Sequence, residues 1–124
     1  HEIYETLSNA TDAKGRKLKV YKLPMPEKPC FMSEEEANSI DLVNPRTAQD
    51  EPQIASYMNY LVTNHGCIVP QYGDKNDALA VETLQKIYDE TWGAGVYRCI
   101  GVDSRQVVYG GGNIHCITQQ EPSA

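Results

Sequence analysis

The chain has 124 residues, a length that suits one ordinary domain, and its apolar share of 40% is enough for a globular core. No stretch reaches the roughly 18 to 20 unbroken apolar residues of a membrane span, so the sequence predicts no membrane protein. Eleven basic residues stand against 17 acidic ones, for a net charge of −6, and no cluster of lysine and arginine exists, which excludes an ordinary nucleic-acid-binding face.

The first third of the chain predicts short elements separated by polar segments. Residues 2–10 have the pattern of a helix tail, and because His1 stands directly before that pattern, we expect the chain to be a piece of a longer polypeptide. Residues 17–23 alternate lysine with apolar side chains, which predicts an amphipathic strand. Residues 33–36 can cap a short helical turn, and the polar residues 41–52 predict a long surface loop.

The rest of the chain predicts strands around one clear helix. That helix covers residues 76–90, because its apolar residues form one stripe and glycines follow it. The predicted strands, all rich in apolar residues, are 54–62, 67–69, 96–102 and 106–109. The order strand, strand, helix, strand over residues 54–109 predicts one α/β module.

Four scattered cysteines indicate free thiols. None forms a Cys-x-x-Cys pair, and a chain of this size with such spacing is typical of a reducing, cytoplasmic compartment. Cys67 and Cys99 lie in predicted strands, so we expect both in the core, and we expect Cys30 to pack under a loop. A zinc site needs several ligands at local spacing, and His115 and Cys116 lack such neighbours, so no metal site is predicted.

The most specific feature is the glycine triplet Gly110, Gly111 and Gly112, which precedes Asn113 and leads to Cys116. Glycines serve equally at a bulge or at a close approach of backbone to a ligand, so both interpretations stay open. Cys116 is either a small buried residue or a nucleophile whose thiolate is favoured by backbone N–H groups of the turn.

His115 stands next to this cysteine. If residues 113–118 are extended, adjacent side chains point to opposite faces. We therefore expect His115 to be a structural histidine rather than the proton-transfer partner of Cys116.

The stretch Gly110-Gly-Gly-Asn-Ile-His-Cys-Ile-Thr-Gln-Gln120 closely resembles the C-terminal signature of agmatine deiminases. Weaker likenesses to the same family follow in order along nearly the whole chain, namely residues 11–16, 23–26, 55–60, 68–74 and 100–103. The resemblance implies an α/β fold of the pentein type, a propeller of five ββαβ-type modules. Residues 1–124 would then be about two modules from the C-terminal part of a single catalytic domain.

The same resemblance implies hydrolysis of agmatine to N-carbamoylputrescine and ammonia. Cys116 would be the nucleophile, and Gly110, Gly111, Gly112 and Asn113 would bind the substrate or shape the site. No cofactor or metal is implied. The expected partners are agmatine, the rest of the parent chain and further copies of the protein, in the cytoplasm.

One departure from the family pattern limits this inference. Family members also use a His-x-Asp motif and further carboxylates, and this chain has no His-x-Asp. Those groups are therefore expected outside it. Two alternatives stay open: another guanidine-modifying pentein that acts on arginine or peptidyl-arginine, and a non-catalytic binding fragment on a pentein scaffold.

Overall fold

A computed structural model describes residues 2–39 and 51–122. Within these ranges the regular elements are, in chain order, α1 (Glu2–Asn9), α2 (Glu34–Ser39), β1 (Leu61–Thr63), β2 (Gly66–Gln71), α3 (Asp77–Trp92) and β3 (Arg98–Asp103). Two 3₁₀ helices follow, Val107–Gly110 and His115–Ile117.

A three-stranded sheet with one packed helix forms the centre of the structure. The strand order is β1-β2-β3, with β1 antiparallel and β3 parallel to β2. Strands β2 and β3 run parallel because α3 carries the chain back across the sheet between them. This ββαβ arrangement confirms the α/β module predicted from residues 54–109.

The core lies between α3 and the sheet. Cys67 of β2 stands in register with Cys99 of β3, and both are buried, as predicted. Ala80 and Leu84 bring the apolar stripe of α3 onto this layer. The buried cluster also contains Tyr57, Val69, Tyr72 and Val108.

Asp77, the first residue of α3, ties the helix to the segments before it. Its carboxylate accepts the Tyr57 hydroxyl at 2.7 Å and the backbone N–H groups of Tyr72 and Gly73 at 3.1 and 2.9 Å. Since Tyr57 is fully buried, its hydroxyl needs this acceptor. Asp77 therefore holds together the end of β2, the start of α3 and the segment that carries Tyr57.

The short helix α2 begins as its sequence predicts. The Ser33 hydroxyl accepts the Glu36 N–H at 3.2 Å, and the Glu36 carboxylate accepts the Ser33 N–H at 2.7 Å. These reciprocal bonds are a capping box. It satisfies two N–H groups that have no carbonyl partner within the helix. The Tyr109 hydroxyl also donates to Glu36 and so joins α2 to the segment before the glycine triplet.

Two predicted strands are wrong, and a third is right only at its end. Residues 17–23 form only the single bridge between Lys17 and Thr11, because the described sheet contains β1, β2 and β3 and none of these pairs with the segment. The side chains of Lys19 and Tyr21 bond Glu90 of α3. In the predicted strand 54–62 only β1 is regular. The predicted strand 106–109 is a 3₁₀ helix, whose Val108 is buried.

Two further expectations concern the N-terminal segments. The predicted helix at residues 2–10 is confirmed as α1. Most of the predicted loop 41–52 lies outside the described residues. None of the helices in the described ranges is both long enough and apolar enough to cross a membrane.

Candidate active site

Cys116 lies in the 3₁₀ helix His115–Ile117 and is exposed. This turn is closed by the Ile117 N–H, which donates to the Asn113 carbonyl at 3.3 Å, and by the Thr118 N–H, which donates to the His115 carbonyl at 3.2 Å. The expected extended segment at 113–118 is therefore wrong. The cysteine projects from a tight turn and not from a strand.

Asn59 makes the direct contact with this thiol. Its side-chain amide Nδ2 donates to the Cys116 sulfur at 3.0 Å, and its Oδ1 accepts the Cys116 backbone N–H at 3.3 Å. Its own backbone carbonyl accepts the His115 N–H, also at 3.3 Å. One residue, 57 positions earlier in the chain, therefore contacts the cysteine turn through three hydrogen bonds.

The support for Asn59 comes from the end of β2. The Tyr72 hydroxyl accepts the Ser56 N–H and donates to the Ser56 carbonyl, both at 3.0 Å, and it also accepts the Asn113 amide Nδ2 at 3.1 Å. Asn113 is fully buried, and its Oδ1 accepts the Ile114 N–H at 2.8 Å. The buried Tyr72 thus joins the two segments that carry Asn59 and Cys116.

The glycine triplet contributes through shape. Gly111 has a φ of 87°, in the left-handed region that favours glycine. At Gly112 a Cβ atom would stand 2.9 Å from both the Cβ and the sulfur of Cys116. At Gly110 a Cβ would meet nothing within 4 Å. Close approach to the thiol therefore requires glycine at position 112.

The four cysteines, all in the described part of the chain, differ in their environments. Burial raises the pKa of Cys67, Cys99 and Cys30. The pKa of Cys116 is lowered, first by the Asn59 amide and then by the Asn113 and Cys116 backbone groups. Since the thiolate is the reactive form, Cys116 is the thiol best prepared for nucleophilic attack.

The described structure does not support the expectation of a structural His115. Its side chain is exposed, and its ring has no hydrogen-bond partner among the described residues. It lines an open cavity of about 320 Å³ together with Ser56, Met58 and Asn59. The strand argument against His115 does not apply, because the segment is helical.

The hydrogen bonds that the described residues make with the cysteine turn all involve uncharged groups. Across residues 2–39 and 51–122, no carboxylate is hydrogen-bonded to the cysteine turn, and no group of three or more histidine, cysteine or acidic side chains could hold a metal ion. Within the described chain, the turn itself offers a thiol and amide groups, but no bound carboxylate to grip a cation.

Sequence reasoning missed Asn59 and Tyr72 as parts of this site. Asn59 lies inside a motif that carried the resemblance, yet its own sequence neighbourhood gave no sign of a bond to Cys116. The one available signal was a polar amide within the mostly apolar run Tyr57-Met58-Asn59-Tyr60-Leu61.

Comparison with known proteins gives a consistent family. The model of Porphyromonas-type peptidyl-arginine deiminases matches residues 1–122. A Lactococcus lactis protein named "Putative agmatine deiminase" is 48% identical over 99% of this chain and 32% of its own length. The solved agmatine deiminase of Enterococcus faecalis is 46% identical, with a TM-score of 0.79 over 97% of this chain and 31% of its own.

A third relative is a solved cysteine-to-serine variant of the C. jejuni agmatine deiminase with substrate bound. It is 28% identical, with a TM-score of 0.56 over 82% of this chain and 23% of its own. The chain thus spans about a third of the length of the curated relatives it matches. The resemblance to agmatine deiminases and the pentein-type α/β fold are both confirmed. The chain belongs to the family of Porphyromonas-type peptidyl-arginine deiminases.

Proposed function

We propose that residues 1–124 are the C-terminal part of the single catalytic domain of an agmatine deiminase, with Cys116 as its nucleophile. The observation that carries this proposal is the exposed Cys116 thiol, which receives the Asn59 amide at 3.0 Å and has a lowered pKa. The high identity to relatives that bear the name agmatine deiminase supports agmatine as the substrate. The C. jejuni variant supports a role for a cysteine in that enzyme.

The proposed reaction proceeds by covalent catalysis, which replaces one hard attack by water with two easier steps. The Cys116 thiolate attacks the guanidinium carbon of agmatine and forms a tetrahedral adduct. A C–N bond then breaks, ammonia leaves with a proton, and an amidino group stays on the sulfur. Water adds to that group and the C–S bond breaks. The thiolate returns, and N-carbamoylputrescine is released.

The residues near Cys116 have different proposed roles. We propose that Gly112 gives the sulfur its space and that Gly111 turns the chain towards it. The buried side chain of Asn113 favours a site-shaping part over contact with substrate. Gly110 has the least structural support of the three glycines, since a Cβ atom there would meet nothing within 4 Å.

The remaining chemistry requires groups from elsewhere in the parent protein. A proton donor for ammonia, a base for water and carboxylates for the cation are all needed. Exposed apolar side chains such as Ile54, Met58 and Ile117 agree with a surface that the rest of the parent chain covers.

The test uses the full-length parent enzyme. We expect Cys116→Ala to abolish ammonia release from agmatine, because Cys116 is the one cysteine among the described residues that has both exposure and a lowered pKa. Cys30→Ala is the matched control and should retain turnover. A haloacetamidine probe should label Cys116 alone. Equal turnover in the Cys116 variant, or labelling spread over all four cysteines, would contradict the assignment.

The same assay decides between substrates. The family description favours a peptidyl-arginine substrate as the second candidate. Agmatine, free arginine and an arginine peptide should be compared in the parent enzyme, and we expect agmatine to be hydrolysed fastest. Absence of hydrolysis with all three would favour the non-catalytic binding fragment. A cytoplasmic location, in keeping with four free thiols, and a homo-oligomeric parent stay predictions.

A further inference from the structure

Asn59 reaches the candidate nucleophile from a separate part of the chain, and its contacts are directional. The Cys116 backbone N–H can only donate, so it requires the amide oxygen of Asn59 to face the backbone. The amide nitrogen must then face the sulfur, at 3.0 Å. The orientation of this side chain therefore follows from the network around it.

The segment that carries Asn59 is held rigidly. The Asn59 N–H donates to the Ser56 carbonyl at 3.1 Å. The Ser56 N–H and carbonyl both form hydrogen bonds with the Tyr72 hydroxyl. Tyr57, between them, is fully buried with its hydroxyl on Asp77. A side chain on such a support can hold a partner in one place, because its own backbone has little freedom.

We propose that Asn59 is a positioning residue, which fixes the Cys116 turn through three hydrogen bonds and directs an amide N–H at the sulfur to stabilise the thiolate. This inference deepens the proposed function and rests on it. An N–H donated to sulfur stabilises the anion more than the neutral thiol, since hydrogen bonds to charged groups are the stronger ones. The oxygen of the same amide and the Asn59 carbonyl keep the turn from rotating the thiol away.

Two substitutions in the parent enzyme distinguish stabilisation of the thiolate by Asn59 from a purely structural role. Asn59→Asp keeps the oxygen that accepts the Cys116 N–H, but replaces the donor with a negative oxygen beside the sulfur. Asn59→Ala removes both groups and adds no charge. If Asn59 only holds the turn, the Cys116 thiol of Asn59→Asp should react as fast as that of the wild type, and the thiol of Asn59→Ala should react more slowly. If Asn59 stabilises the thiolate, the thiol of Asn59→Asp should react more slowly than that of Asn59→Ala.

The readout is the rate of Cys116 alkylation by iodoacetamide as a function of pH, followed on the Cys116 peptide by mass spectrometry. This probe is neutral and does not need the agmatine site. We expect alkylation near neutral pH to slow by about fourfold in Asn59→Ala, and further in Asn59→Asp. The pH midpoint of the alkylation profile should also rise, more in Asn59→Asp than in Asn59→Ala. Asn64→Asp, on the exposed hairpin turn, adds the same charge elsewhere and should match the wild type.

The outcomes are separable from those of the proposed function. An alkylation profile of Asn59→Asp within twofold of the wild type would overturn the inference, even in a protein that hydrolyses agmatine. A shifted profile without agmatine hydrolysis would retain it and reject the proposed function. If both variants fail to fold, the test is the ultraviolet absorbance of the Cys116 thiolate as a function of pH, obtained as the difference between the wild type and Cys116→Ser. A midpoint at or above about 8.5, the ordinary value for cysteine, would then overturn it.

Discussion

Replacing Gly112 by alanine in the parent enzyme should impair catalysis by displacing the nucleophile. The added Cβ would stand 2.9 Å from both the Cβ and the sulfur of Cys116. Carbon atoms pack best at about 3.5–4.0 Å, so one of the two residues must move by at least about 0.6 Å. Three hydrogen bonds join Asn59 to the cysteine turn, two of them to Cys116 itself, and moving Cys116 would lengthen those two.

The expected loss follows from that displacement. A misplacement of about 1 Å can cost about a hundredfold in rate, because the reacting atoms leave their aligned positions. We expect kcat of Gly112→Ala to fall by about ten- to a hundredfold. The free energy of unfolding should fall by about 1–3 kcal/mol, as in other overpacked sites.

The glycine triplet provides its own control. Gly110→Ala inserts the same methyl group two residues earlier, where a Cβ would meet nothing within 4 Å of the described structure. The assay is ammonia release from agmatine, together with the rate at which a small thiol reagent labels Cys116. If Gly112→Ala has a kcat within twofold of the wild type and the same labelling rate, the close approach does not matter and the reasoning is refuted.

Three further results are expected. Asp77→Ala in the parent protein should cost about 2–4 kcal/mol in a urea unfolding experiment, because the buried Tyr57 hydroxyl loses its acceptor; the exposed Asp103→Ala is the control, and equal losses would contradict this account. The Ser33 N–H, followed by the Tyr109 hydroxyl, lowers the pKa of Glu36 from 4.5 to about 2, so its stabilising contribution is present above pH 4.5 and lost as the pH falls through 2. Glu36→Gln should therefore reduce the drop in melting temperature over that range, and an unchanged drop would argue against the capping box. Residues 1–124 alone should associate in size-exclusion chromatography and release no ammonia from agmatine, whereas multiple turnovers would mean that these residues hold a complete site.

The elements that the sequence determined are those whose bonds are local. Helix α3 was predicted from its apolar stripe and the glycine after it, and Gly93 indeed ends it with a φ of 100°. The capping box of α2 needs only residues three positions apart. The buried Cys67 and Cys99 follow from apolar neighbours in short strands. The candidate nucleophile was found by a contiguous motif.

The tertiary structure decided the elements whose partners are distant. Residues 54–60 have strand-like composition, yet Ser56 bonds the Tyr72 hydroxyl and the segment turns instead of extending. The contact between Asn59 and Cys116 joins positions 57 apart, and no local pattern encodes it. It arises because β2 and Tyr72 bring two segments together. A sequence records which groups can bond, but the register of the sheet and the packing of α3 decide which of them meet.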